Sequence, residues 1–482
     1  MSGATPIRGQ EHSVISYRLS ASANHSFLLC SSALVFFLLS SSLAVSGASF
    51  RAAVAKVDIT PAAGLPLYGF FDRIKDNKLS TGTLDPLYAR VLVLEGGDRR
   101  FALVTLDLGR TFSLQLLTQL QQKVRTSAGI SYLLVNASHT HSAPNILDEY
   151  PGGRVPAWQT NAVAKISAAV TQASRHLVDA KIGTGRGDVY IGYNRRQVRS
   201  DNFVTMLWSN AEKQPTSPID PSVLVLRIDD VSGKPLAILV NYACHPVVLG
   251  PDNLQYSADF VAPMANTVEK AFDGAPLCFF LQGAAGDINP YYATTALSDG
   301  ALAKRDWTGE QLGQEAVRVA KAIHTEVPQP ATIDFADDII AFQPRWNPAE
   351  FRESLLSTFG PRIFEDHAYL FAQDPPPDHL ELHVTTVLLN KRTTFIGMSG
   401  EPFVDFQITW RDRSPLPDAF FLGYTNGYFD YLPTIKAAAQ GGYGAGDSNT
   451  YVEVGAGERM LRQGLVRIYE FLGKLGDAPE RK

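Results

Sequence analysis

The sequence predicts an α/β fold, in which mixed β-sheets are flanked by helices and the active site lies on loops at strand exits. Three observations predict it. Short apolar runs of strand character alternate with segments of helical periodicity through most of the chain. Glycine, proline, asparagine and aspartate punctuate the joints. Several apolar runs end on a histidine or a carboxylate, where an α/β scaffold usually carries its chemistry.

The elements follow in order. Residues 1–26 are polar and serine-rich, Phe27 to Leu39 is an apolar run, and small residues continue to Ala48. This pattern predicts a secretory signal peptide over residues 1–48 and a secreted or periplasmic protein. The apolar run is short for a bilayer span, which makes an uncleaved anchor the lesser alternative. Ala53 to Ile59 reads as a strand stopped by Pro61. Residues 88–95 and 101–107 read as strands joined by a Gly96-Gly97-Asp98 turn. Leu114, Leu117, Leu120 and Val124 recur at helical spacing, Tyr132-Leu133-Leu134-Val135 is a buried strand, and a helix covers about 157–178. Two strands, 222–228 and 236–245, flank a Gly233-Lys234-Pro235 turn, and a helix near 258–272, a strand at 277–281 and a helix near 308–325 follow. Between 344 and 380 the periodicity fades around Pro375-Pro376-Pro377, which predicts an irregular insertion or lid. Strands return at 384–389 and 393–398, and a helix near 454–474 closes the chain. With no internal repeat or linker, residues 49–478 are expected to form one domain.

Composition narrows the function classes. A 45% hydrophobic, 19% charged chain has the make-up of a globular protein. The net charge of -5, with no lysine or arginine block, leaves no electrostatic footprint for nucleic acid. Outside the signal only Cys244 and Cys278 remain, in strand-like runs. Two buried thiols and one disulfide both stand open, and neither describes a disulfide scaffold.

Histidines locate the chemistry. Of ten, His139, His141 and His245 sit where strands stop, and Glu401 ends another strand. Residues two apart in an extended chain point to the same side, so His139 and His141 face one pocket together. A hydrogen-bonded structural pair and a metal ligand beside a base are both compatible with that stretch. Histidines and a carboxylate at strand exits suit a borderline-soft cation, with zinc the first expectation. Asp107, Asp259 and Asp287 sit at loop starts and are candidates to orient the histidines.

Asn136 to Pro144 resembles the His-Thr-His-Ser-Gly-Pro signature of the neutral (non-lysosomal) ceramidase family. The likeness extends in order along almost the whole mature chain: Val57-Asp58-Ile59-Thr60, Leu87-Tyr88-Ala89-Arg90, Tyr193-Asn194-Arg195, Val223 to Pro246, Gly400-Glu401, and Thr425 to Tyr431 with Gly442-Tyr443. The resemblance implies a zinc ion held by His139, His245, Glu401 and Tyr431. It implies His141 as general base, and Tyr443 with Arg195 as donors to the oxyanion. It implies cleavage of the N-acyl amide of ceramide or a related lipid to a fatty acid and an amine, and a peripheral contact with a membrane surface. A metal that polarises the carbonyl and lowers the pKa of water, beside a neutral histidine, supplies what amide hydrolysis needs.

Two features depart from the family pattern. The family's Gly-Asp-x-Ser-Pro-Asn appears as Gly286-Asp287-Ile288-Asn289-Pro290-Tyr291, so an amide stands where the family has a hydroxyl. Asn289 cannot accept an acyl group as a serine can, which leaves water as the nucleophile. The chain is also expected to carry no counterpart of the C-terminal immunoglobulin-like domain of many members. A zinc amidase or esterase acting on a different substrate, and a non-catalytic binding protein of the same fold, are the competing expectations.

Overall fold

Eight strands build the largest sheet in the computed structural model, which describes residues 49–146, 155–361, 364, 371, 375–446 and 448–475. The expected signal segment, residues 1–48, lies outside the described residues. The strands are β1 (Arg51–Asp58), β2 (Tyr88–Gly96), β3 (Arg99–Leu106), β4 (Tyr132–Ala137), β5 (Val178–Asp188), β6 (Ser222–Asp230), β7 (Pro235–Tyr242) and β8 (Leu277–Gln282). They lie in the order β8-β7-β6-β5-β1-β2-β3-β4. The second sheet orders β9 (Ile333–Phe342), β10 (Leu380–Leu389), β11 (Thr393–Met398) and β12 (Asp418–Leu422) in sequence.

Most neighbours are antiparallel, but β3/β4, β7/β8 and β11/β12 run parallel. A parallel pair needs a crossover, and each of these has a helix: α1 (Leu114–Ala128), α3 (Val261–Lys270) and α6 (Val404–Arg413). The fold therefore contains three β-α-β units, and the residues that matter for chemistry leave the carboxyl ends of their strands.

Side-chain alternation sets the layers. Along β3, Ala102 and Val104 face one way and join a cluster with Leu117, Leu120 and Val124 of α1 and Ile166 and Val170 of α2 (Ala157–Arg175). Phe101 and Leu103 face the other way and meet Val387, Leu389, Phe395 and Phe420 of the second sheet. Helices α3 and α4 (Ala301–Ala322) cover the β6–β8 end of the large sheet, with Met264, Leu312 and Val319 on Val225, Val240 and Phe280. Helices α6 and α7 (Ala456–Phe471) cover the far side of the second sheet through Trp410, Met460 and Ile468. The result is four layers: helices, sheet, sheet, helices.

Several elements differ from the expectation. β5 was absent from the sequence reading because Gly183, Gly185 and Gly187 interrupt its apolar pattern. The three glycines share one face of the strand, and that face is covered by α4. A Cβ on Gly185 would lie 2.9 Å from both Val319 and Ile323, so the absent side chains let the helix approach the sheet. The region expected to be irregular holds helix α5 (Pro348–Phe359), started by Asn347, whose side chain accepts from Ala349 and Glu350. The strand expected to reach His245 ends at Tyr242. Helix α4 starts at Ala301, earlier than its periodicity suggests. Cys244 and Cys278 are both free and buried, which settles the open choice between thiols and a disulfide.

The two edge strands of the large sheet are tied together. Gln282, at the end of β8, donates its backbone N–H to Asn136 Oδ1 of β4 at 3.0 Å. Its side-chain Nε2 donates to Ser138 O at 2.8 Å and to Cys244 O at 2.9 Å. One amide thus pins the segments that carry His139 and His245.

Candidate metal centre

Beyond β4 the chain turns sharply. His139 sits at φ 67°, a left-handed conformation that costs a residue with a Cβ and persists where surroundings impose it. Here Ser138 and His139 donate their backbone N–H groups to Leu106 O and Leu108 O, both at 2.9 Å. The buried His139 ring stacks on Tyr424, with centroids 4.2 Å apart. Its Nδ1 lies 2.6 Å from Gly109 O, a carbonyl that can only accept, so Nδ1 carries the proton and Nε2 presents a lone pair.

His245 repeats the arrangement. It is buried, and both its backbone N and its Nδ1 bond Ile288 O, at 3.0 and 3.1 Å. Its Nε2 is left without a hydrogen-bond partner of acceptable geometry among the described residues. Glu401 Oε2 lies 3.3 Å from Nε2 of His139 and 3.3 Å from Nε2 of His245. Burial alone would raise the Glu401 pKa, but the two histidines hold it well below the usual carboxylate range. Tyr424 donates to Oε2 at 3.3 Å, and Tyr428 donates to Oε1. Tyr68 in turn donates to Tyr428 at 2.7 Å.

His141 differs from the other two. Its Nε2 is 3.4 Å from His139 Nε2, while its Nδ1 has no partner among the described residues. Burial and the two neighbouring histidines push its pKa well below the ordinary value, which favours the neutral ring. Burial likewise lowers His245 to about 4. The ring nitrogens of His139, His141 and His245 lie within 4.8 Å of one another, close enough to hold a metal ion. Two imidazoles with committed Nδ1–H groups, each presenting Nε2, and an ionised carboxylate fit the donor set of a borderline-soft cation.

The remaining predicted residues gather on the same cavity. It measures about 710 Å³ and is lined by His141, His245, Arg195, Asn289, Tyr431 and Tyr443, with Phe70, Phe71, Trp208, Val247, Leu355 and Tyr451 as apolar wall. Leu355 comes from α5, within the expected lid. Glu401 and Tyr431 are direct partners in a two-residue parallel ladder. Arg195 is buried; its Nη2 donates to Tyr431 OH at 3.0 Å and Gly286 O at 2.6 Å, and its guanidinium lies 5.0 Å from the Tyr443 ring centroid. Burial opposes the Arg195 charge, but the Tyr431 and Tyr443 phenols outweigh that and raise its pKa. Burial drives the Tyr431 phenol well above its usual value.

The sequence reading missed the phenols on Glu401, Tyr424 and Tyr428, and the collar of Tyr68 and Phe70 around His141. No periodicity marks such residues; Tyr428 lies inside the family-like segment Thr425 to Tyr431, and Tyr424 lies one residue before it. The aspartates expected to orient the histidines do other work. Asp107 pairs with Arg90 at 2.9 Å, Asp259 accepts from Leu249 N at 2.9 Å, and Asp287 accepts from Val404 N at 2.8 Å and Asn194 Nδ2 at 2.7 Å. Backbone carbonyls of Gly109 and Ile288 take the orienting role instead, because the strand ends already place them against Nδ1.

A family model described as neutral/alkaline non-lysosomal ceramidase, N-terminal, matches residues 50–304. Among solved structures, the neutral ceramidase from Pseudomonas aeruginosa is similar with a TM-score of 0.69 at 17% identity, over 90% of this chain and 76% of that one. A structure titled as a ceramidase complexed with C2 is similar with a TM-score of 0.71 at 17% identity, over 90% of this chain and 77% of that one. At that identity the likeness establishes a shared fold.

Proposed function

The chain belongs to the neutral/alkaline non-lysosomal ceramidase family, and from that premise we propose that it is a secreted zinc hydrolase of the N-acyl amide bond in ceramide or a related N-acyl lipid. The observation that carries the reading is the convergence of His139 Nε2 and His245 Nε2 on Glu401 Oε2, each at 3.3 Å, at an apolar-walled cavity. An apolar wall of this size suits an acyl chain better than a small soluble amide.

In this reading His139, His245 and Glu401 hold the zinc, with Tyr431 beside them. The metal, when bound, polarises the scissile carbonyl and eases deprotonation of water. His141 is the base. It lacks the Nδ1 bond to a backbone carbonyl that fixes His139 and His245 as ligands, and its low basicity keeps it neutral and ready to accept a proton at Nε2. The same atom returns the proton to the leaving amine. Arg195 and Tyr443 face the cavity as donors to the oxyanion, each such donor contributing roughly 3–4 kcal/mol in comparable enzymes. With Asn289 in place of a hydroxyl, water attacks directly. Contact with a lipid surface supplies the substrate.

The deciding experiment purifies the full chain, counts zinc, and assays fluorescent-acyl ceramide against short-chain amides and esters, with His141→Ala as control. One zinc per chain and ceramide turnover abolished in the variant are expected. Zinc with brisk ester cleavage and no ceramide turnover would move the substrate to a different class, and failure to bind zinc would end the hydrolase reading.

A further inference from the structure

We propose that Arg73 is a positioning residue for the general base: it fixes the backbone at His141 and thereby the place from which the proton moves. The proposal rests on the reading of His141 as base.

Arg73 lies in a short helix, Phe71–Lys75, yet its side chain is buried, only 1% exposed. A guanidinium carries five N–H donors in a fixed fork. All five meet backbone carbonyls: Nε donates to Pro251 O at 3.1 Å, Nη1 to Tyr68 O at 3.2 Å and to His141 O, and Nη2 to Gly250 O at 3.1 Å and Asn253 O at 2.7 Å. Three loops are joined through one planar group. Carbonyls at fixed angles around a plane select arginine, because an ammonium has three donors and no plane.

His141 needs such help. A base is usually oriented by a hydrogen bond at its second nitrogen, and His141 Nδ1 has none among the described residues. Its own N–H makes a long bond of 3.4 Å to Pro246 O. What holds the ring is packing from the loop that Arg73 anchors. Tyr68 meets it edge-on at 5.4 Å and Phe70 at 5.0 Å. Gly69, at φ +100°, lies so close that a Cβ would sit 2.3 Å from Nδ1. Arg73 also stacks 4.7 Å from the Phe70 ring centroid. It therefore grips the base twice, through the His141 carbonyl and through the ring that packs on the imidazole.

The test compares Arg73→Lys and Arg73→Ala in the full zinc-loaded chain, reading kcat, KM, zinc content and thermal midpoint. A base moved by about 1 Å costs on the order of 10²-fold in rate. We expect kcat to fall by about that factor in Arg73→Ala and less in Arg73→Lys, with KM and zinc content held. Millimolar guanidinium, far below denaturing concentration, should restore part of kcat in Arg73→Ala and none in His141→Ala. If Arg73→Ala does not fold, Arg73→Lys carries the comparison. Unchanged kcat in a folded variant, or activity lost only in step with zinc and folding, overturns the proposal. Full activity in His141→Ala with Arg73 intact sinks the base assignment instead, which keeps the two failures apart.

Discussion

Glu401 and Tyr431 stand side by side in a parallel ladder of two residues, so the carboxylate and the phenol are fixed by the same pair of strand ends. The carboxylate turns to His139 and His245, while the phenol oxygen accepts from Arg195. One short ladder thus joins the histidine side of the cavity to its cationic side.

That division gives a ligand test. Alanine at His139, His245 or Glu401 should abolish stoichiometric zinc, whereas His141→Ala should keep zinc and lose turnover. Equilibrium dialysis with elemental analysis separates these outcomes. Loss of zinc in His141→Ala would mean that all three imidazoles are ligands.

Tyr431→Phe leaves the Arg195 fork short of an acceptor inside a buried site. Removing one partner of a buried hydrogen bond typically costs about 1–3 kcal/mol. We expect kcat to drop by roughly 10–100-fold with the fold intact, the same energy expressed as rate. A wild-type kcat in this variant would show that the phenol has no part in the reaction.

Leu355→Trp, on α5, should shrink the cavity at its wall. The ratio of kcat/KM for a long-chain to a short-chain N-acyl substrate should fall by at least about tenfold, since one or two lost methylene contacts are worth about 1–3 kcal/mol. An unchanged ratio would mean that the acyl chain lies elsewhere.

Asp287 offers a pH test away from the metal ligands. Burial pushes its pKa up to about 6, from an ordinary value of 3.8. The folded state then holds the proton more tightly than the unfolded chain. Its contribution to stability is full below about pH 4 and is lost as pH rises through about 6. Asp287→Asn does not titrate, so any offset from its altered bond to Asn194 is constant with pH. Between pH 4 and 7 the parent should lose on the order of 3 kcal/mol relative to the variant, measured by urea unfolding at each pH. Parallel stability curves would contradict the assignment.

Much of this architecture was legible in the chain, and the gaps have physical causes. Runs such as Tyr132-Leu133-Leu134-Val135 announce strands because both faces are buried and every position is apolar. β5 was invisible because its information lies in what is missing: glycines at alternate positions encode a helix contact. Gly185→Val should therefore destabilise the fold by several times the loss of an ordinary surface contact, with no change in the site's residues. The strand-end histidines were readable from local pattern, but their distinct roles rest on which carbonyl meets Nδ1, and that depends on residues far away in sequence. The bonding role of Asn136 and Gln282 carried no local signal, although these two residues hold the two histidine segments in register.

The bond from Gln282 to both histidine segments also bears on how the molecule reaches its native state. The metal donors come from three widely separated strands, so the loops between them must close before any two donors meet, and such long-range contacts form late and slowly. On the zinc reading proposed above, the ion would find no partial site on the way; it would bind only the finished chain, and its capture would make the last and least local step of folding hard to reverse.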